Sequence, residues 1–233
     1  AGPSLSDHRA MSAPFYPNQP QHTSGGAHVF LHFTNEEGES VLSHTNQATI
    51  DSHGPTYADL TLGYVSDDNR IEATYTHMEM PQTDENRAYY EFSYTFLEDV
   101  SFTNFVEQFK FYRCTDNDST GWYQRIGYLD ENNNHQVANS LHQNPGRQKF
   151  VLGDNCPYFT FFDMAECSPS DGLHYGYVNI AFLIYNYEII QDGNNITEST
   201  NFAITNYGDF IQLSLNLEEV KFKAGDTIKI NAI

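Results

Sequence analysis

The densest run of reactive side chains is His77-Met78-Glu79-Met80-Pro81-Gln82-Thr83-Asp84-Glu85-Asn86-Arg87, with an imidazole, three carboxylates and a guanidinium in eleven residues. Glycoside hydrolysis needs two carboxylates about 5–10 Å apart. β-Elimination of a polysaccharide needs a base, such as His or Tyr, and a group that neutralises the sugar carboxylate. His77, Glu79, Asp84, Glu85 and Arg87 are therefore the catalytic candidates if the chain is an enzyme. A solvated hairpin loop explains the same residues, because proximity in sequence is not convergence in space. No Ser elbow, phosphate-cradling Gly loop or dinucleotide fingerprint accompanies them.

A second constellation is aromatic. Tyr89-Tyr90, Trp122-Tyr123 and Tyr128 are candidates for a surface on which a sugar ring stacks. Trp and Tyr combine a large apolar body with a polar tip, and nearby Asn, Asp and Gln can bond hydroxyls. Strand alternation turns one ring of each adjacent pair inward. Trp122, next to the polar stretch 116–121, is the leading ring. The competing reading places these rings in the core.

Acidic turns form a third group: 66–69, 116–118, 130–134 and 192–195 are rich in Asp and Asn. Their oxygens suit a structural calcium ion, with Asp116 and Asp118 as the named ligands. No spaced EF-hand loop is present. Asp and Asn are also ordinary turn formers, since their side chains bond their own backbone. No other cofactor is expected.

Of three cysteines, Cys156 and Cys167 are close enough in sequence to close a short disulfide loop; connectivity is not fixed by spacing. Asn117-Asp118-Ser119 and Asn195-Ile196-Thr197 are N-glycosylation tripeptides in turn-like stretches, making Asn117 and Asn195 acceptor candidates. With few lysines and no initiating Met, these features point to a processed, secreted, extracellular chain.

Thirty-one acidic against 11 basic residues give a net charge of −20. That argues against nucleic acid, whose phosphates require clustered Lys and Arg, and against an anionic membrane surface. No stretch reaches the roughly 20 apolar residues of a transmembrane helix.

The elements that must position these groups read as strands. Period-two alternation marks 57–65, 70–78, 90–96, 105–112 and 211–217. Further strand signals fall at 27–34, 122–129, 147–152, 158–162, 221–223 and 227–230. The longer apolar run 177–187 reads as a central strand buried on both faces. No segment keeps a 3.6-residue period over ten residues. Residues 1–26, with four prolines and Gly25-Gly26, read as an irregular leader or linker. The expectation is an all-β chain: one antiparallel two-sheet β-sandwich of about a dozen strands over 27–233.

Lys149-Phe150-Val151-Leu152-Gly153-Asp154, followed by Tyr158-Phe159-Thr160-Phe161-Phe162, resembles paired strands in β-sandwich domains of secreted carbohydrate-active enzymes. Residues 222–230, Phe-Lys-Ala-Gly-Asp-Thr-Ile-Lys-Ile, are similar to late edge strands of the "supersandwich" domains that accompany polysaccharide lyases and mutarotase-like enzymes. The resemblance covers about a third of the chain and implies a carbohydrate context; it carries no catalytic residue over.

Together these readings favour a non-catalytic carbohydrate-binding or accessory domain of a larger secreted protein, whose partners are a glycan and neighbouring domains. A polysaccharide lyase or glycoside hydrolase on the same fold is the first alternative. A structural or adhesive surface protein is the second.

Overall fold

The computed structural model of the chain describes residues 4–11, 23–35, 40–41, 43–54, 57–81, 86–113, 125–139, 148–162, 180–206, 211–217 and 220–233. The first half carries β1 (Ser4–Met11), β2 (Thr23–Asn35), β3 (Ser40–Val41), β4 (Ser43–Gly54), β5 (Tyr57–Ser66), β6 (Ile71–Pro81), β7 (Asn86–Phe96) and β8 (Val100–Arg113). The second carries β9 (Arg125–Leu129), β10 (His135–Asn139), β11 (Gln148–Val151), β12 (Tyr158–Phe162), β13 (Ile180–Gln191), β14 (Asn194–Asn195), β15 (Phe202–Asn206), β16 (Ile211–Leu215), β17 (Val220–Phe222) and β18 (Thr227–Ala232). The described residues contain no α-helix, and one 3-10 turn at Thr197–Ser199.

The strands form two antiparallel sheets. One has ten strands in the order β10-β9-β12-β13-β18-β7-β6-β5-β4, with β14 on β13; the other has eight, in the order β1-β2-β8-β16-β15-β11, with β17 on β8 and β3 on β2. Alternation makes the inner faces. Ile71, Ala73 and Tyr75 of β6 are buried while Glu72 and Thr74 are exposed, and Phe92, Tyr94 and Phe96 of β7 are buried.

Among the described residues, aromatic pairs join the sheets across one core. Phe96 stacks on Phe222 at 4.2 Å between centroids, Tyr128 meets Phe150 at 4.5 Å, and Tyr187 meets Phe202 edge-on at 4.9 Å. Such pairs add about 0.5–1.5 kcal/mol beyond the area they bury.

Two expectations are corrected. The apolar run in β13 is central but not buried on both faces. Phe182, Ile184 and Ile189 point into the core, whereas Ala181, Tyr185, Asn186 and Glu188 are exposed. Its outer side meets solvent because the eight-stranded sheet packs on its inner side only. Residues 4–11, expected to be irregular, pair with β2 from Ser4↔Val29 to Met11↔Thr23. Pro3, Pro14, Pro17 and Pro20 all lie outside β1 and β2, so none removes an amide from that ladder.

A buried carboxylate fixes the corner where β13, β14, β17 and β18 meet. Asp226 is 3% exposed. Its Oδ2 accepts the amides of Asp192 (2.8 Å) and Lys223 (2.7 Å), and its Oδ1 accepts that of Gly193 (3.1 Å). Asp192 (φ 53°) and Gly193 (φ 70°) both lie in the left-handed region, so the turn leaving β13 is tight and this carboxylate holds it.

Candidate functional site: a polar cleft on the ten-stranded sheet

β13 carries one extra residue relative to β18. Ile184 pairs with Ala232 and Asn186 with Asn231, leaving Tyr185 unmatched between them. Ordinary alternation would put Tyr185 and Asn186 on opposite faces. The bulge puts both on the outer face, where Tyr185 is 50% exposed beside exposed Asn186. Bulges re-aim side chains in this way and recur next to functional sites.

One residue beyond Tyr185 begins a cleft of about 880 Å³ between β13, β18, β14 and the 3-10 turn. Its lining is polar: amides from Asn186, Asn195 and Asn231, hydroxyls from Thr197 and Ser199, carboxylates from Glu188 and Glu198, and the Lys229 amine, with Tyr187. Asn186 faces Asn231 across the ladder, and Glu188 faces Lys229. Amides both donate and accept, so the paired asparagines can bond adjacent hydroxyls of one ligand. Tyr187 directs its hydroxyl to the Thr200 carbonyl at 3.2 Å; burial, then the nearby Asp154 charge, raises the pKa of that phenol.

The polar surface continues away from the cleft. In register, Asn186-Asn231-Glu91-Thr76-Thr61-Thr49 and Glu188-Lys229-Ser93-Thr74-Gly63-Gln47 form two adjacent rows across six strands. None of these residues is buried. Thr61 donates to Asp51 at 2.5 Å and lies 3.3 Å from the Thr76 hydroxyl.

The sequence-predicted residues are dispersed. His77 faces the core at 7% exposure, stacked 5.0 Å from Tyr90 with the rings 7° from parallel. Glu79 pairs with Ala88, and Arg87 with Met80, in the β6–β7 ladder; Asp84 and Glu85 lie outside the described residues. Tyr90 is half-buried against Tyr75, Phe92 and Phe182. Tyr128 is half-buried against Phe150, and burial, then Asp130, raises the pKa of its phenol. Tyr89 is half-exposed and opposite Met78.

Trp122, Tyr123, Asp116, Asn117, Asp118 and Cys167 also lie outside the described residues, so the calcium ligands, the leading aromatic and the proposed disulfide partner have no described position. Cys156 is exposed, with φ 55°. Asn195 is exposed and lines the cleft.

The described acidic turns bond their own backbone. Asp130 Oδ1 accepts the amides of Asn132 and Asn134, both at 2.9 Å, and its Oδ2 accepts Gln136. The Asn134 amide leads these bonds in holding the Asp130 carboxyl below its ordinary pKa, with Gln136 next. Asp68 is pushed up by burial but ends lowered, because Ser66 and Arg70 both donate to it. Among the described residues no three His, Cys, Asp or Glu side chains converge as a metal site.

Sequence reading missed Tyr185, Asn186, Glu188, Lys229 and Asn231. The polar Tyr185-Asn186 pair inside an apolar run was the available signal. Its meaning depends on the register of β18, which the local sequence does not carry.

No family model matches the chain, and no curated protein matches it. Solved structures do. The galactosidase domain of the α-galactosidase–sucrose kinase AgaSK is similar at 10% identity and a TM-score of 0.38, over 87% of this chain and 28% of that one. The Slr1438 protein of Synechocystis sp. PCC 6803 is similar at 11% identity and a TM-score of 0.36, over 93% of this chain and 79% of that one. The chain thus spans little more than a quarter of the galactosidase-domain chain. No helix among the described residues is long and apolar enough to cross a membrane.

Proposed function

We propose that this chain is a non-catalytic carbohydrate-binding domain of a secreted protein, and that the cleft beside Tyr185 is where it holds a neutral glycan. The observation that carries the reading is the β13 bulge, which sets the exposed Tyr185 next in sequence to Asn186, an exposed amide that lines an amide- and hydroxyl-rich cleft. A sugar presents an apolar C–H face and a rim of hydroxyls. The ring stacks on the first, and Asn186, Asn231 and Thr197 bond the second. The polar rows across the sheet give a longer chain further hydroxyl partners. A net charge of −20 disfavours polyanionic glycans.

The test is a screen of soluble glucose, mannose, galactose and xylose oligosaccharides, followed by calorimetry on any binder. Tyr185→Ala should weaken binding by about 1 kcal/mol, roughly fivefold, and Asn186→Ala should weaken it too, with an unchanged melting temperature. Equal affinity in both variants removes this site. Cleavage of a bound oligosaccharide replaces the binding reading with the hydrolase or lyase reading.

A further inference from the structure

We propose that Asn195 is an N-glycosylation site and that its glycan caps the polar cleft, so that modification and ligand access exclude one another. The inference rests on reading the cleft as a ligand site. Three observations place the acceptor there. Asn195 belongs to the tripeptide Asn195-Ile196-Thr197, it is exposed, and it lines the cleft with Lys229 and Glu198.

The local backbone keeps it at the lip. Asn195 pairs with Ile190, and the Ile196 amide donates to the Ile189 carbonyl at 2.9 Å. Asn195 Oδ1 accepts the Thr197 amide at 3.0 Å, while Thr197 Oγ1 accepts the Ile189 amide at 2.9 Å. The tripeptide is therefore a fixed turn on the sheet surface, and the point of attachment on Asn195 is held at the lip of the cleft.

The transfer balances with one co-reactant class, an oligosaccharide linked through diphosphate to a lipid. The Asn195 amide nitrogen forms a bond to the sugar anomeric carbon. The bond from that carbon to the phosphate oxygen breaks, the lipid diphosphate leaves, and the amide gives up one proton.

The experiment compares two preparations of the chain, both carrying Asn117→Gln so that only one acceptor remains. One is secreted from a eukaryotic host and the other made in the bacterial cytoplasm. Peptide mass spectrometry reads occupancy of Asn195. Lys229, in the cleft, is then acylated with a small amine-reactive ester, and its rate is compared with that of exposed Lys149 on the other sheet.

The expected result is occupancy of Asn195 in the secreted protein, with the Lys229:Lys149 rate ratio reduced severalfold relative to the bacterial protein. Asn195→Gln in the secreted protein should restore the ratio. An unmodified Asn195, or a modified one with the ratio unchanged, overturns the proposal. If neither preparation binds any oligosaccharide in the screen, the carbohydrate reading fails while occupancy and shielding are still measured.

Discussion

Replacing Asp226 with Ala tests whether one carboxylate organises the corner beside the cleft. Asp226 accepts three main-chain amides, from Asp192, Gly193 and Lys223, and is 3% exposed. Hydrogen bonds to a charged group are each worth about 1.5–3 kcal/mol. Asp192, Gly193 and Lys223 are exposed, so water can replace part of what is lost, and about 1 kcal/mol per bond is the reasonable scale here. Asp226→Ala should then cost about 3 kcal/mol, a fall in melting temperature of roughly 6–12 °C at this chain length. Asp226→Asn should cost less, because its carbonyl oxygen still accepts while its NH2 group opposes an amide N–H.

Urea and thermal melts followed by circular dichroism give the global number. Hydrogen exchange at residues 192, 193 and 223 gives the local one. Asp192→Asn, which keeps a side chain suited to the left-handed backbone at this position, is the control. It removes the ion pair between Asp192 and Lys223, whose side chains are 64% and 60% exposed, and such surface pairs contribute little. A shift for Asp226→Ala no larger than that of the control, or unchanged exchange at the three amides, would refute the reasoning.

Gly153→Ala should destabilise by about 1–3 kcal/mol in urea melts, the usual cost of overpacking, because its added Cβ would collide with Asn133 Oδ1 and fall 2.6 Å from the Asp130 carbonyl. The Asp130 turn should be acid-sensitive. Its folded pKa lies below the ordinary 3.8, so its contribution is present above that value and is lost as pH falls through the lowered one. Amide resonances of Asn132 and Asn134 should titrate with a midpoint below 3.8, and a midpoint above it would contradict the assigned bonds.

Much of the fold was written in local pattern. Ile71, Ala73 and Tyr75 against Glu72 and Thr74 told the two faces of β6 apart, because side chains alternate along any strand whatever its neighbours. Phe92, Tyr94 and Phe96 did the same for β7, and the two-sheet class follows from many such half-apolar segments with nowhere else to bury themselves. β4 was not legible: it carries Ile50 70% exposed and no buried residue beyond Ser43. As an edge strand exposed along most of its length, it needs no apolar alternation. The chemistry-bearing residues followed the same division. His77 and Tyr90 were noticed for their types, yet position 77 faces 90 across a ladder whose inner side is the core, and register turned both into packing.

The cleft depended on tertiary structure throughout. Asn186 and Asn231, or Glu188 and Lys229, are some forty residues apart in the chain and become neighbours only when β18 inserts between β13 and β7. The sequence by itself determined that strands would form and, where apolar and polar residues alternate as in β6 and β7, which residues would face inward. Which strands became neighbours, and where one extra residue would turn Tyr185 outward beside Asn186, was decided only by the assembled sheet, because register is a property of two segments and neither carries it alone.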